Sequence, residues 1–273
     1  MKNIAGILLI ISCLNRSCAS IPKNIYTPAP LTTIVPIEQI NSALPLNSSW
    51  QIQYTGKIDL TLDVDVYNLD LFDTDSSVIT QLHERGIFVM CYFSAGSFED
   101  WRADAGQFPQ EVLGKDMEGW PGEIWLDIRQ IELLKPIMES RLDIAMQKDC
   151  DGVDPDNVNG FENDTGFSLG YEDQINFNIF LANAAHERGM AIGLKNDLAQ
   201  IPELLPYFDW ALNEECFSYN ECQILLPFIK AGKPVFVIEY KTAPAEFCPQ
   251  ANELNFNALQ KNLELDAFRV PCK

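Results

Sequence analysis

From Trp50 onward the chain alternates between short β-branched segments and longer segments of helical apolar spacing. That alternation limits the folds open to it. The strand candidates are residues 50–54, 60–67, 87–93, 152–155, 190–194, 209–213, 235–240 and 267–270. Between most of them lies a helical pattern with an apolar face: residues 76–85 carry Val78, Ile79 and Leu82, and residues 131–147 carry Leu133, Leu134, Ile137, Leu142, Ile144 and Ala145. Residues 173–188, 198–207, 222–231 and 252–262 complete the helices. Gly86, Gly189 and Gly232 stand where C-terminal caps are expected. Eight strands separated by helices predict a closed parallel (β/α)8 barrel, a single α/β domain of the TIM-barrel type over residues 50–273. A doubly wound open sheet is the alternative, but no Gly-rich phosphate turn follows the first strand. Residues 55–59 are too short for a crossover helix, so the first strand pair is expected to be irregular or antiparallel.

Ahead of the barrel come two segments of another kind. Lys2, the apolar run from Ile4 to Ile11, and Ser17-Cys18-Ala19 read as a secretory signal peptide over residues 1–19. Lipid attachment at Cys13 is the alternative. Residues 20–49, rich in Pro, Thr and Ser, read as an arm or linker. No segment is long and apolar enough to span a bilayer, so the exported chain is expected to be soluble, or anchored by lipid, and monomeric. Export makes disulfides plausible. Cys216 and Cys222 share a loop, and Cys248 and Cys272 bracket the end of the chain, which gives two pairings. Cys91 and Cys150 fall in strand segments and read as buried thiols, although a third bridge is open to them.

In a parallel barrel the functional end is where the strands finish. Here those ends are polar. The second strand supplies Asp63, Asp65 and Asp70; the third Tyr92, followed by Glu99, Trp101 and Arg102. The fourth supplies Asp154 and Asp156, the fifth Lys195 and Asn196, the sixth Glu214 and Glu215, the seventh Glu239 and Tyr240. Strand side chains alternate faces, so Asp154 and Asp156 share one. Two carboxylates on one face repel unless a substrate, proton or metal is shared between them.

His83 and His186, the two histidines, lie inside predicted helices, which removes the usual general base and zinc ligand. No G-x-S-x-G or H-E-x-x-H pattern occurs. A Mg2+ or Ca2+ site from Asp154, Asp156 and Glu214 stays open, but no cofactor is required. Glycoside hydrolysis needs only two opposed carboxylates, with aromatic rings as platforms for sugars. In that chemistry Lys195 would hold the fourth-strand carboxylate ionised while a less solvated Glu214 keeps its proton longer. The formal charge of −20, from 39 acidic and 19 basic residues, argues against nucleic acid and suits a cationic partner.

Several blocks in fixed order carry a family resemblance: residues 91–102 (CYFSAGSFEDWR), 119–129 (GWPGEIWLDIR), 151–157 (DGVDPDN), 193–197 (GLKND) and 213–217 (NEECF) with Cys222. Over roughly residues 50–241 the chain resembles glycoside hydrolase family 114, the endo-α-1,4-polygalactosaminidases. The resemblance implies a (β/α)8 barrel that cleaves α-1,4-linked galactosamine-rich polymer, a cationic polysaccharide. It points to Asp156 and Glu214 as the catalytic pair, in a retaining route with Asp156 as nucleophile. Asp63, Asp70, Tyr92, Asp154, Lys195, Asn196, Glu215, Glu239 and Tyr240 would contact substrate. Glu215 stands where the family commonly has Gln. Asp63, Asp65, Asp154 and Glu215 would bind the ammonium groups. An α-galactosidase-like enzyme for neutral glycans and a non-catalytic polysaccharide-binding barrel are the alternatives.

Overall fold

The structure is a computed structural model that describes residues 44–273. The expected signal peptide, Cys13 and most of the arm lie outside the described residues. Twelve strands occur among those described: β1 Trp50–Gln53, β2 Val66–Asp70, β3 Phe88–Ser94, β4 Ser97–Glu99, β5 Leu113–Asp116, β6 Glu123–Leu126, β7 Gly152–Asp156, β8 Ala191–Lys195, β9 Trp210–Glu214, β10 Val235–Glu239, β11 Asn257–Gln260 and β12 Val270–Pro271. The helices are α1 Ser76–His83, α2 Ile131–Gln147, α3 Tyr171–Glu187, α4 Ile201–Leu204, α5 Leu226–Lys230 and α6 Pro244–Glu253. The main sheet runs β1-β2-β3-β7-β8-β9-β10-β11-β12, and its first eight strands are parallel. From β2 onward one helix follows each strand of the barrel up to β11, as expected for a TIM barrel.

The period of two in each strand sorts its side chains into two cores. One parity packs outward on the helices: Leu69, Val89, Phe93, Val153, Ile192 and Val237 meet Ile79 and Leu82 of α1 and Leu134, Met138 and Leu142 of α2 within one cluster. The other parity fills the barrel interior with Trp50, Val66, Met90, Ala191, Trp210, Leu212, Phe236 and Leu259. Each fully buried large apolar side chain contributes roughly 2 kcal/mol. Space inside is tight. A Cβ on Gly193 would stand 2.1 Å from the Trp210 indole nitrogen, so glycine there is what admits the indole.

Helix α1 starts at Asp75, whose carboxylate accepts the Ser77 N–H at 2.8 Å, and its chain turns back after Gly86 at φ +74°. Helix α3 starts with Gly170 N–H donating to the Asp173 carboxylate at 2.8 Å.

Four features differ from the sequence expectation. First, β1 and β2 are parallel, with Trp50 opposite Val66; β2 begins at Val66 rather than residue 60, which leaves a longer, helix-free crossover. Second, the eighth parallel strand is β11, inside a stretch read as helix. The segment read as the eighth strand meets β12 only at Val270, and β12 runs antiparallel on β11. Third, no ladder joins β11 to β1 among the described residues. The gap is closed by Trp50 Nε1 donating to Asn257 O at 2.9 Å, Gln51 Nε2 to Ala267 O at 3.2 Å and Arg269 Nη2 to Trp50 O at 2.9 Å. Fourth, a separate antiparallel sheet, β4-β6-β5, interrupts the step from β3 to α2.

The pairings Cys216–Cys222 and Cys248–Cys272 are present. Cys91 and Cys150 are not free thiols: they form a third bridge, Cα to Cα 6.0 Å, from β3 to the turn before β7. That bridge closes a loop of 59 residues, and chain-entropy reasoning assigns such a crosslink about 2–5 kcal/mol. Cys91→Ala with Cys150→Ala should lower unfolding free energy by that amount in urea melts. A loss below about 0.5 kcal/mol would contradict the assignment.

The last residues of the arm are not detached from the barrel. Leu44 packs on the interior cluster, Asn257 Nδ2 donates to Leu46 O at 2.8 Å, and Ser49 donates to the Asp65 carboxylate through N–H and Oγ, each at 2.7 Å. No described helix is long and apolar enough to cross a membrane.

Candidate active site

The interior parity that gives an apolar floor turns polar at the strand ends. Following it upward leads to Tyr54, Asn68 and Asp70, Tyr92, Asp154 and Asp156, Lys195, Glu214 and Tyr240. Above them opens a cleft of about 470 Å3, lined by Asp70, Tyr92, Asp156, Lys195, Asn196, Glu214 and Tyr240 among others. The Lys195 ammonium stands between two carboxylates, 3.0 Å from Asp156 Oδ1 and 3.3 Å from Glu214 Oε2. Burial pulls that ammonium down, but Asp156, Glu214 and Asp154 together outweigh it and hold the lysine well above its ordinary range.

The backbone around this pair is held by unusual turns. Ala95 and Gly96 both donate N–H to Asp156 O, at 2.9 and 3.0 Å, and a Cβ on Gly96 would fall 1.7 Å from Asn157 O. Only glycine lets the two chains approach so closely. Asn157, Asn196 and Glu215 take φ of 62°, 54° and 61° directly after β7, β8 and β9. The turn at Asn196 lets its amide serve β9: Asn196 Oδ1 accepts the Glu214 N–H at 3.0 Å, and its Nδ2 donates to Glu214 Oε2 at 3.4 Å. The Tyr240 hydroxyl donates to Glu214 Oε1.

Asp154 lies beneath this floor. It is fully buried, accepts Asn68 Nδ2 at 2.7 Å and the Tyr54 hydroxyl at 3.4 Å, and does not border the cleft. Burial, opposed by Lys195, pushes its carboxyl up to about 6. Burial and Asp154 push the Tyr54 phenol well above its usual value; burial and Asp156 do the same to Tyr92. The two rings pack 4.3 Å apart between centroids. Both hydroxyls therefore keep their protons, and Tyr54 donates its own to Asn68 Oδ1 and Asp154 Oδ2.

Other expected contacts fall elsewhere. Asp63 is exposed three positions before β2 begins, and Asp65 holds Ser49 beside a smaller hollow of about 260 Å3 at the N-terminal end of the strands. Neither borders the cleft. The late start of β2 moved both from the expected strand end to the opposite one. Glu239 has the outward parity: it is buried and accepts Phe217 N–H at 2.8 Å and Ser218 Oγ at 2.6 Å, so it braces the loop after β9. Glu215 is half-buried and does not line the cleft. Asp70 does line it, but its carboxylate is occupied by Arg102 at 2.7 and 3.0 Å and by Phe72 and Asp73 N–H. Its role is to anchor Arg102, which also meets Glu99 at 2.9 Å and so ties β4 to β2.

Glu214 does not keep its proton longer in the free site. Burial pushes its carboxyl up, but Lys195 with hydrogen bonds from Tyr240 and Asn196 outweighs burial and holds it below the usual range. Lys195 also stands where a divalent cation would have to sit between Asp156 and Glu214. Among the described residues no group of three metal-ligating side chains converges.

Tyr54, Asn68 and Glu123 are site residues the sequence reading did not single out. Strand parity could have found the first two, since Tyr54 continues Trp50 and Ile52, and Asn68 lies midway between Val66 and Asp70. Glu123 and the exposed rings of Trp101 and Trp120 come from the β4-β6-β5 excursion, which forms one wall of the cleft.

A parallel eight-stranded barrel with two carboxylates bridged by a lysine at its strand ends is a glycosidase architecture. The sequence profile of glycoside-hydrolase family GH114 matches residues 35–273. The chain belongs to glycoside-hydrolase family GH114. It is 42% identical to Ega3 of Aspergillus fumigatus, solved in complex with galactosamine, covering 86% of this chain and 98% of that one with a TM-score of 0.82. The glycoside hydrolase domain of PelA from Pseudomonas aeruginosa shares the fold at 15% identity, covering 81% and 97%, with a TM-score of 0.65. No curated relative matches the sequence.

Proposed function

We propose that the protein is a secreted endo-glycosidase that cuts α-1,4 bonds inside galactosamine-rich polysaccharide, with Asp156 as nucleophile and Glu214 as general acid/base. The observation that carries this reading is the Lys195 ammonium held between Asp156 and Glu214. Two contacts to one nitrogen keep those oxygens closer than the roughly 6.5 Å at which inverting pairs begin, which supports retention. Asp156 Oδ1 is engaged by Lys195 and by the Asn157 N–H at 2.7 Å, leaving Oδ2 to attack the sugar carbon. As that bond forms, the glycosidic C–O bond breaks and Glu214 gives its proton to the leaving oxygen. Glu214 then takes a proton from the water that releases the sugar from Asp156.

The galactosamine bound by Ega3, at 42% identity, supports an amino sugar as the unit recognised, and the excess of acidic residues suits a polymer bearing ammonium groups. Three disulfides support export to an oxidising compartment. Trp101 and Trp120, about half exposed on the cleft wall, suit the apolar faces of successive sugar rings.

Product analysis tests the reading. Partly deacetylated galactosaminogalactan should yield short galactosamine oligomers, with the α anomer formed first at the new reducing end by proton NMR. Release of monomer alone would overturn endo action, and a β anomer would overturn retention. Cleavage of neutral galactan but not of the amine-bearing polymer would replace the substrate.

A further inference from the structure

The acidic residues first expected to receive the ammonium groups do not face the cleft, yet a different carboxyl does. We propose that Glu123 is the group that selects an unacetylated amine on the sugar unit bound beside Asp156, an inference that rests on the galactosamine reading above. Glu123 opens β6, directly opposite Glu99 in the antiparallel pairing with β4. It is only 7% exposed, and what remains uncovered lines the cleft. One oxygen, Oε2, accepts the Ser97 hydroxyl at 2.8 Å. The other, Oε1, has no protein partner among the described residues and is not sealed from solvent. A nearly buried carboxyl with one unpartnered oxygen at the cleft surface is a costly arrangement in an empty site. A cation supplied by the ligand completes it.

The hydroxyl network makes that oxygen a fixed one. Ser97 Oγ is shared with Ser94 Oγ at 2.6 Å, and Asn157 Nδ2 donates to both, at 2.9 and 3.2 Å. Asn157 directly follows Asp156, so the three side chains that orient Glu123 (Ser94, Ser97 and Asn157) are tied to the backbone that carries the nucleophile. A turn with Glu123 N–H donating to Trp120 O at 3.1 Å places an exposed indole next along the wall. An amino sugar can rest a ring face on the indole and direct its ammonium to Oε1. An N-acetyl group brings no charge and adds bulk.

The electrostatics agree with the geometry. Burial, with Glu99 of β4 and Asp156 of β7 adding to it and Ser97 and Arg102 opposing, pushes the Glu123 carboxyl up to about 7. Tyr92 of β3 also faces it. Glu99 cannot substitute, because it is 2% exposed and paired with Arg102 at 2.9 Å. An arriving ammonium favours the ionised form of Glu123, so binding below about pH 7 should release a proton.

Partially N-acetylated galactosamine oligomers, cut by wild type and by Glu123→Gln and sequenced by mass spectrometry, test the assignment. Wild type should leave an unacetylated unit at one fixed position from the cut, and E123Q should accept either unit there. The KM of E123Q for fully deacetylated oligomers should rise about ten- to a hundredfold, the loss of one charge-assisted hydrogen bond, with kcat little changed. Calorimetry in buffers of different ionisation enthalpy should show the proton release in wild type only. Glu123→Asp, which keeps the charge, should retain the positional requirement and keeps the test decisive if E123Q unfolds. An unchanged requirement and KM in E123Q would overturn the proposal, as would a wild type indifferent to acetylation at every position while still cutting galactosamine oligomers. A wild type that cuts no galactosamine oligomer would instead remove the substrate reading beneath it.

Discussion

Asp156→Asn and Glu214→Gln each leave a folded barrel in which cleavage falls by about 10^3-fold or more. Both substitutions are isosteric. Each variant keeps the neighbouring hydrogen bond from Asn157 N–H or Tyr240 and leaves Lys195 one carboxylate partner, so the unfolding temperature should fall by less than in the Lys195 variant below. On the mechanism proposed above, what is lost is the attacking oxygen in one case and the transferable proton in the other. The double variant should be scarcely worse than either alone, because the two act in one step. Small anions separate the roles: azide should rescue Asp156→Ala with an azide product of inverted configuration and Glu214→Ala with one of retained configuration. The converse pattern would exchange nucleophile and acid. The pH profile carries a further sign. Glu214 must be protonated to act as acid, and Lys195, Tyr240 and Asn196 outweigh burial to hold it below the ordinary carboxylate range. The fraction carrying a proton therefore falls as pH rises, and kcat/KM should be highest at acidic pH and decline toward neutrality.

Lys195→Met is the second large effect, because it reaches both catalysis and stability. The side chain is 4% exposed and faces Asp156 and Glu214, themselves 19% and 28% exposed, with buried Asp154 nearby. Removing one partner of a buried pair costs roughly 3–5 kcal/mol, and the partial exposure of these two carboxylates places this loss near the lower end. Without the cation, burial raises the Glu214 and Asp154 carboxyls, which Lys195 otherwise lowers. The folded variant then binds protons that the unfolded chain does not, so its stability should be greatest at acidic pH and fall as pH rises through the raised range of those carboxyls. The same change raises Glu214, so the basic limb of the residual activity should move to higher pH. Residual activity of about one hundredth or less is expected. A variant with normal stability at pH 8 and an unshifted profile would mean that Lys195 is not the group that balances the pair. Arginine should not rescue it, since the planar fork cannot replace a point charge in a site this closed.

The helix–strand alternation made the barrel legible before any coordinates, because the outward and inward faces of parallel strands are both apolar over most of their length. That Asp156, Lys195 and Glu214 meet at the strand ends was legible for the same reason: a charged residue ending an otherwise apolar strand stands out. Parity was the neglected signal. Glu239 and Tyr240 are neighbours in sequence, yet one braces a loop and the other touches Glu214. Asp63 and Asp65 were misplaced by a strand start set too early, which carried them from one end of the barrel to the other. Glu123 could not be reached by counting strands at all. It sits on an excursion whose fold depends on pairing with β4, a contact that local spacing does not encode. The eighth strand was missed because residues 257–260 are short and follow α6 closely, while the segment after them has the more strand-like composition.

The closing of the barrel by residues 267–272 has a temporal meaning. Strands β1 and β11 have no ladder between them, and the side chains and main chain that bridge them come from residues made more than 200 positions apart. While the chain is still being synthesised, the sheet can grow from β1 to β10 one unit at a time but remains an open, curved edge. Asn257 of β11 makes the first bridge to Trp50 and Leu46, Arg269 adds another to Trp50 O, and the Cys248–Cys272 disulfide then ties the closing segment to α6. The molecule therefore acquires its closed form as a late event, and an oxidant must then be present to fix it with the last disulfide.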